Sequence, residues 1–322
     1  MSPPPGSVHD WVRHSAYSDP GPYASLLRDL PHEVGAVCAA ARNVIAHYRA
    51  EIPDLAEERW DEIDSRWLER ILATDQARRP RGLLQPRALG DRVAGCCRDH
   101  TLLVVGALRE QGVPARSRVG FAGYFTSTWH HDHVVVEHWD GARWVRTDPE
   151  LAGEGFDFDV RDMPTGPGSP FETAAEVWRG HRAGRLDTRG YGAVPDTELC
   201  GPAFVRTYVI FEVAHRFGDE LLLWDTWGAA SPDGTGDGDG DGDGDEVDRL
   251  ADEVAELLVA GDAGDRAAEA ELAARYRSDE RLHPGGRVRQ LSPYGRPPVE
   301  VDLEAERPRA GRSGAGEATA GR

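Results

Sequence analysis

The sequence predicts an α+β fold in which one buried helix packs on an antiparallel sheet. Two observations carry this. Residues 96–111 are nearly apolar all round in their middle (Leu102, Leu103, Val105, Leu108), as a buried helix is, and they stop at Gly112 and Pro114. Strand-like runs follow at 115–121, 133–139 and 142–148. Asp140-Gly141 joins the last two, and such a dipeptide is the strongest short hairpin signal.

Upstream, residues 1–30 are rich in Pro and Gly and read as an irregular arm. Over 31–50, Val34, Val37, Cys38, Ala41, Val44, Ile45 and Tyr48 share one helical face, with Pro31 at the first turn and Pro53 beyond the end. Residues 56–78 form a second amphipathic pattern, with Trp60, Ile63, Trp67, Ile71 and Leu72 as its stripe. The two are expected to pair antiparallel. Pro80, Gly82, Pro86 and Gly90 make 79–95 a loop, and 122–130 is a second loop carrying Tyr124, Phe125 and Trp129.

Downstream, 150–170 is irregular, and helical patterns cover 172–183 and 202–217. The Gly-Asp repeat in 231–246 reads as a solvated linker, two Ala- and Glu-rich helices follow at 246–260 and 264–278, and the Pro/Gly/Arg-rich tail from 284 is expected to be disordered. The organisation is therefore an N-terminal arm and helical subdomain (1–80), a core (81–230), a linker (231–246), C-terminal helices (247–280) and a tail (281–322).

Composition narrows function. The 322 residues carry a formal charge of -19, so the surface repels nucleic acid and anionic membranes. All 37 basic residues are arginine, which reads as a coding bias and leaves no lysine amine for chemistry. Four cysteines without CxxC spacing suggest neither a zinc site nor a disulfide framework. With no signal-peptide pattern and no apolar run of membrane-spanning length, the expected location is cytoplasmic and reducing.

A thiol at a helix start, a histidine on a strand and an aspartate on the next strand are the parts of a cysteine nucleophile site. If Asp140-Gly141 is a two-residue turn, His133 stands directly opposite Asp148, with Cβ atoms about 5 Å apart. His131 would oppose Glu150 beyond Pro149, and His138 lies on the other face, opposite Arg143. Cys97 sits in the first helical turn, where free N–H groups and the dipole favour thiolate and can hold an oxyanion. Periodicity does not choose between Cys96 and Cys97.

These residues resemble the transglutaminase-like superfamily of papain-like fold, and most closely its bacterial intracellular members. The resemblance lies in Cys97-Arg98-Asp99, the helix ending Leu108-Arg109-Glu110-Gln111-Gly112-Val113-Pro114-Ala115-Arg116, Gly120-Phe121, His133 with Glu137, and Trp144 before Asp148-Pro149. It implies a papain-like catalytic core over 81–230, with Cys97 as nucleophile, His133 as general base and Asp148 as orienting acid. It also implies acyl transfer on a peptide or protein amide, by hydrolysis or transglutamination, with no cofactor. The family's papain branch has Gln six residues before the nucleophile; Asp91 stands here, which leaves an oxyanion hole to backbone N–H groups or to Trp129 or Tyr124, the expected cleft residues.

Two other functions are open to the sequence. A catalytically silent module would keep the fold and hold a peptide in the aromatic cleft. A metal site could use His131 and His133 from the cluster His130, His131, Asp132, His133 and His138, but a third ligand is missing, and no metal is expected. The Gly-Asp run offers Asp237, Asp239, Asp241, Gly242 and Asp248 at EF-hand spacing, yet Gly244 and Asp248 depart from that pattern and linker is the reading kept.

Overall fold

The computed structural model describes residues 8–153, 155–231 and 244–308. The N-terminal arm is ordered by burial rather than by repeating structure: Trp11, Tyr17, Leu27 and Leu30 all enter the core around a short helix α1 (Ala24–Arg28). Helix α2 (Val34–Val44) follows and buries Val37, Cys38, Ala41 and Val44.

The helix expected to run to residue 50 stops at Val44. β1 (Ile45–His47) takes over, because a distant strand pairs with it. The helix expected from 56 also differs: Glu57–Glu62 is a 3-10 turn, and regular helix begins only with α3 (Leu68–Arg78). The buried Arg98 guanidinium takes the carbonyls of Ser65 and Arg66, which diverts that backbone from a helical ladder.

β2 (Val93–Gly95) runs parallel to β1 and delivers the chain to α4 (Cys97–Glu110), of which only Glu110 is not fully buried. β3 (Ala115–Thr126) and β4 (Trp129–Trp139) form a long hairpin, so most of the loop expected at 122–130 is strand. Pairing continues past Phe121 through Ala122 with His131 and Thr126 with Trp129. β5 (Trp144–Thr147) and β6 (Phe171–Thr173) flank this hairpin in the order β5-β4-β3-β6. Helix α5 (Ala174–Arg182) is launched by a Thr173/Glu176 capping box, and β7 (Tyr191–Gly192) pairs parallel with His130 and His131.

Helix α6 (Pro202–Arg216) packs on β3, and β8 (Asp225–Thr226) lies at its far end. Helices α7 (Gly244–Asp262) and α8 (Arg266–Ser278) pair with each other, and α7 packs on α5 and α6. The expected disordered tail instead forms, over its described residues to 308, β9 (Arg287–Gln290), β10 (Val299–Asp302) and α9 (Leu303–Glu306), and its remainder lies outside the described residues. β9 pairs with both β8 and β10, and Val288, Val301 and Leu303 are buried. One buried cluster draws on residues from Tyr17 to Leu303, so the arm, the core and the C-terminal helices share a hydrophobic interior. Most of the expected Gly-Asp linker, with its EF-hand positions Asp237 to Gly242, lies outside the described residues. Asp248 is described, and it pairs with Arg182 and Arg206 rather than closing an ion loop. Among the described residues no helix is long and apolar enough to cross a membrane.

The hairpin register differs from the sequence expectation by two residues. Trp139 opposes Trp144, Glu137 opposes Arg146 and Val136 opposes Thr147. The Asp140 N–H donates to the Arg143 carbonyl at 3.1 Å, so the turn is Gly141-Ala142, with Gly141 at φ +105°. The Asp140 carboxylate accepts the N–H groups of Ala142 (2.7 Å) and Arg143 (2.8 Å), which pulls Asp140 out of the turn centre. Because strand faces alternate with period two, a shift of two keeps His133 and Asp148 on one face.

Candidate active site

β5 ends where its ladder loses a donor. Hydrogen-bonded pairs alternate from Asp140/Arg143, and the next beyond Val136/Thr147 would be Val134 with Pro149, which has no N–H. The Val134 carbonyl instead accepts the Thr101 hydroxyl at 2.9 Å. This contact docks the first turns of α4 on β4 next to His133.

The start of α4 is set by a cap. Cys96 is the N-cap residue in extended conformation, and its N–H donates to Asp99 Oδ2 at 2.8 Å. Arg98 Nη1 holds Asp99 Oδ1 at 2.9 Å, and the rest of that buried guanidinium binds carbonyls of Ser65, Arg66 and Glu220. Arg98-Asp99 thus fixes the helix start and leaves Cys97 as its first residue, with an N–H that has no intrahelical acceptor. Gly95 is required by closeness: a Cβ there would lie 2.8 Å from Asp99 Oδ2 and 2.9 Å from Ile45 Cγ2.

His133 donates from Nε2 to Asp148 Oδ2 at 2.9 Å. The same oxygen accepts the Tyr124 hydroxyl at 2.5 Å, and Asp148 Oδ1 accepts the Glu150 N–H at 2.9 Å. Phe125 stands edge-on to the imidazole at 5.1 Å between centroids, and Tyr124 at 6.2 Å, which fixes the ring plane. With Nε2 committed to Asp148, Nδ1 is the nitrogen left to exchange a proton. It lies 3.9 Å from Glu150 Oε2.

His133 and both cysteines line one cavity of about 1250 Å³. Its polar end also holds His47, His100, Asp132 and Glu150, and its apolar wall includes Phe125, Phe204, Tyr208, Phe211 and Trp224. Leu291 and Pro293 close one side, so the C-terminal segment helps build the cavity.

Burial disfavours a charged His133, but Asp148 and then Glu150 outweigh it and raise its pKa. The same holds for His100, where the Glu150 carboxylate overcomes burial. Burial would raise Glu150, yet His100, then His47 and His133, hold it down at about 2. For Cys97 the neighbouring Cys96 thiol, burial, Glu150 and Asp132 all push the same way, well above the ordinary value. The neighbouring thiol, burial and two carboxylates thus act against the thiolate that the helix start favours.

Residues 46–149 match the core of the transglutaminase-like superfamily. Among solved structures, a candidate cysteine protease from Cytophaga hutchinsonii is similar at 17% identity and a TM-score of 0.30. That likeness covers 46% of this chain and 43% of the other, so the chain spans less than half of that structure. No curated protein matches.

Within the matched stretch, Cys97 opens α4, and His133 and Asp148 are hydrogen-bonded. The two expected cleft residues are elsewhere. The Tyr124 hydroxyl is spent on Asp148, and burial with that carboxylate pushes the phenol well above its ordinary pKa, which keeps it a donor. The Trp129 indole donates to the Gly192 carbonyl at 2.9 Å, and neither residue lines the cavity. Both were expected on a loop; the strand that replaces it points them away. Asp91 is also outside the site, paired with Arg79 at 2.9 Å.

Three residues of the site escaped the sequence reading. His100 lies one helical turn after Cys97, on the same side of α4, a spacing that could have flagged it. His47 accepts the N–H groups of Arg49 (3.2 Å) and Ala50 (3.3 Å) at Nδ1, which assigns its proton to Nε2. Glu150 follows Pro149, and Pro149 marked the strand end without showing what came next. The histidine cluster at 130–138 separates: His130 stacks on Tyr191, and His138 opposes Val145 rather than Arg143. Among the described residues no group of three His, Cys, Asp or Glu side chains is placed to hold a metal ion.

Proposed function

We propose that the protein transfers acyl groups from amides through Cys97, His133 and Asp148. The observation that carries this is the 2.9 Å His133–Asp148 hydrogen bond, with Nδ1 left free beside a cavity that Cys97 also lines. The Cys97 thiol gives its proton to His133 Nδ1 as sulfur attacks the amide carbonyl. The tetrahedral oxyanion is met by the Cys97 N–H at the helix start. Collapse breaks the C–N bond, the imidazolium returns the proton to the leaving amine, and a thioester remains on Cys97. Water, activated by neutral His133, then releases the acid; an amine in its place would complete a transglutamination. Water is the favoured acceptor, because an amine-accepting enzyme in the cytoplasm would crosslink its own host. The substrate class is a peptide or protein amide.

The Cys96 thiol, burial and the carboxylates of Glu150 and Asp132 all oppose a Cys97 thiolate, which favours a second reading, a catalytically silent module that binds a peptide in the same cavity. Iodoacetamide labelling of Cys97 across pH, followed by mass spectrometry of an acyl-enzyme trapped from lysate, separates the two. Catalysis predicts labelling and a thioester adduct that is absent in Cys97→Ala. An inert Cys97 with no adduct, and a Cys97→Ala protein that retains its biological activity, would establish the silent module.

A further inference from the structure

We propose that Glu150 anchors a free amino group of the substrate, one carbon from the carbonyl that Cys97 attacks. The site would then take compact amides whose acyl residue has an unblocked α-amine and an aromatic or apolar side chain. This rests on the acyl-transfer reading above.

The carboxylates nearest the thiol differ in what they already hold. Asp132 accepts the Tyr208 hydroxyl at 2.5 Å, and Asp148 is saturated by His133, Tyr124 and a backbone N–H. Glu150 is different. Its Oε1 is buried and has no hydrogen-bond donor among the described residues. His100 Nδ1 is only 3.1 Å away, but that ring nitrogen also meets the Cys96 carbonyl at 3.0 Å, and its N–H is aimed there rather than at Oε1. Oε2 is 3.9 Å from His133 Nδ1, beyond hydrogen-bond length. The nearby Arg42 guanidinium is used on the carbonyls of Pro149 and Leu151, both at 2.9 Å.

His100, His47 and His133 therefore surround Glu150 without giving it an aligned hydrogen bond. The imidazoles supply charge, but the carboxylate still lacks an aligned donor, and an ammonium brings three. A neutral acylated nitrogen would desolvate the carboxylate and supply no countercharge.

Distance then places the amine. A charge-assisted N–H···O bond is about 2.8 Å long, and the reacting atoms of a bound amide sit about 3–3.5 Å apart. Oε2 is 3.9 Å from the nitrogen that exchanges the thiol proton, so an ammonium bound to it lies beside the reacting carbonyl, as an α-amine does. The same cavity offers a large apolar side chain Phe125, beside His133, and Phe204, Phe211 and Trp224.

The test uses phenylalanine chloromethyl ketone and its N-acetyl derivative at pH 6.5 on the full chain, following alkylation of Cys97 by mass spectrometry. In the wild type the free-amine probe should react about 10- to 100-fold faster, the range of a charged hydrogen bond. In Glu150→Gln that ratio should fall to near unity, and the ratio cancels any general change in thiol reactivity. Equal rates in the wild type, or a preference retained by folded Glu150→Gln, would overturn the inference and leave the acyl-transfer reading intact. Alkylation by neither probe would overturn both. The wild-type comparison decides even if the variant does not fold.

Discussion

Asp148 fixes the His133 imidazole: Nε2 donates to Asp148 Oδ2 at 2.9 Å, and Nδ1 is left 3.9 Å from Glu150 Oε2. One ring nitrogen is thereby committed and the other faces a second carboxylate.

Replacing Asp148 with Asn should lower turnover by about 10³–10⁴-fold, since a neutral amide removes the charge that stabilises the His133 imidazolium. The fold should survive, as the Asn oxygen can still accept from Tyr124. Turnover, with the unfolding midpoint as control, checks this.

Glu150→Gln should shift the pH profile of Cys97 alkylation toward lower pH. The carboxylate raises both the thiol and the His133 imidazole, so its removal makes each give up its proton more readily. The acid limb of any turnover profile should move the same way. In the wild type that limb should sit above the ordinary histidine value of 6.5, because His133 is raised. A profile unchanged by the substitution contradicts the electrostatic account.

Acid stability should also depend on Glu150. Its pKa falls from 4.5 in the unfolded chain to about 2 in the fold, so the stability it contributes is present above pH 4.5 and is lost as pH falls through about 2. The shift corresponds to about 3 kcal/mol. Denaturant titrations at pH 6 and pH 3 should show a smaller loss for Glu150→Gln than for the wild type.

Gly120→Ala should destabilise the protein by about 3 kcal/mol or more. Gly120 pairs with His133 on one side and Thr173 on the other, and an added Cβ would lie 2.1 Å from the Glu172 carbonyl. Backbone cannot yield as a side-chain tip does, so β6 must move away from β3. Thermal unfolding measures the cost.

Ending the chain at residue 283 should lower the unfolding midpoint by on the order of 10 °C. Deletion removes β9 and β10, strips β8 of its partner and uncovers core around Val288 and Val301. It also removes Leu291 and Pro293 from the cavity wall, so probe alkylation of Cys97 should lose selectivity for aromatic groups. An unchanged midpoint would return the segment to the disordered tail expected from its composition.

The sequence by itself determined which face each side chain of the hairpin takes. Strand faces alternate with period two, so His133 and Asp148 share a face under either register, and an error of two residues in the turn left that conclusion unharmed. It also determined where α4 ends, because Gly112 and Pro114 act locally, and that it is buried, because an apolar helix must be buried wherever it packs. Only the tertiary structure decided the register. The Asp140 carboxylate chose two backbone N–H groups over a place in the turn, and that choice set Trp139 opposite Trp144 and Val136 opposite Thr147. The same is true of the first residue of α4, set by Asp99 and by an arginine that reaches back to residues 65 and 66. It holds again for β9, whose partner β8 lies more than sixty residues earlier. Periodicity reports what a residue does with its neighbours in the chain. Caps, carbonyls and strand partners supplied from a distance leave no periodic trace.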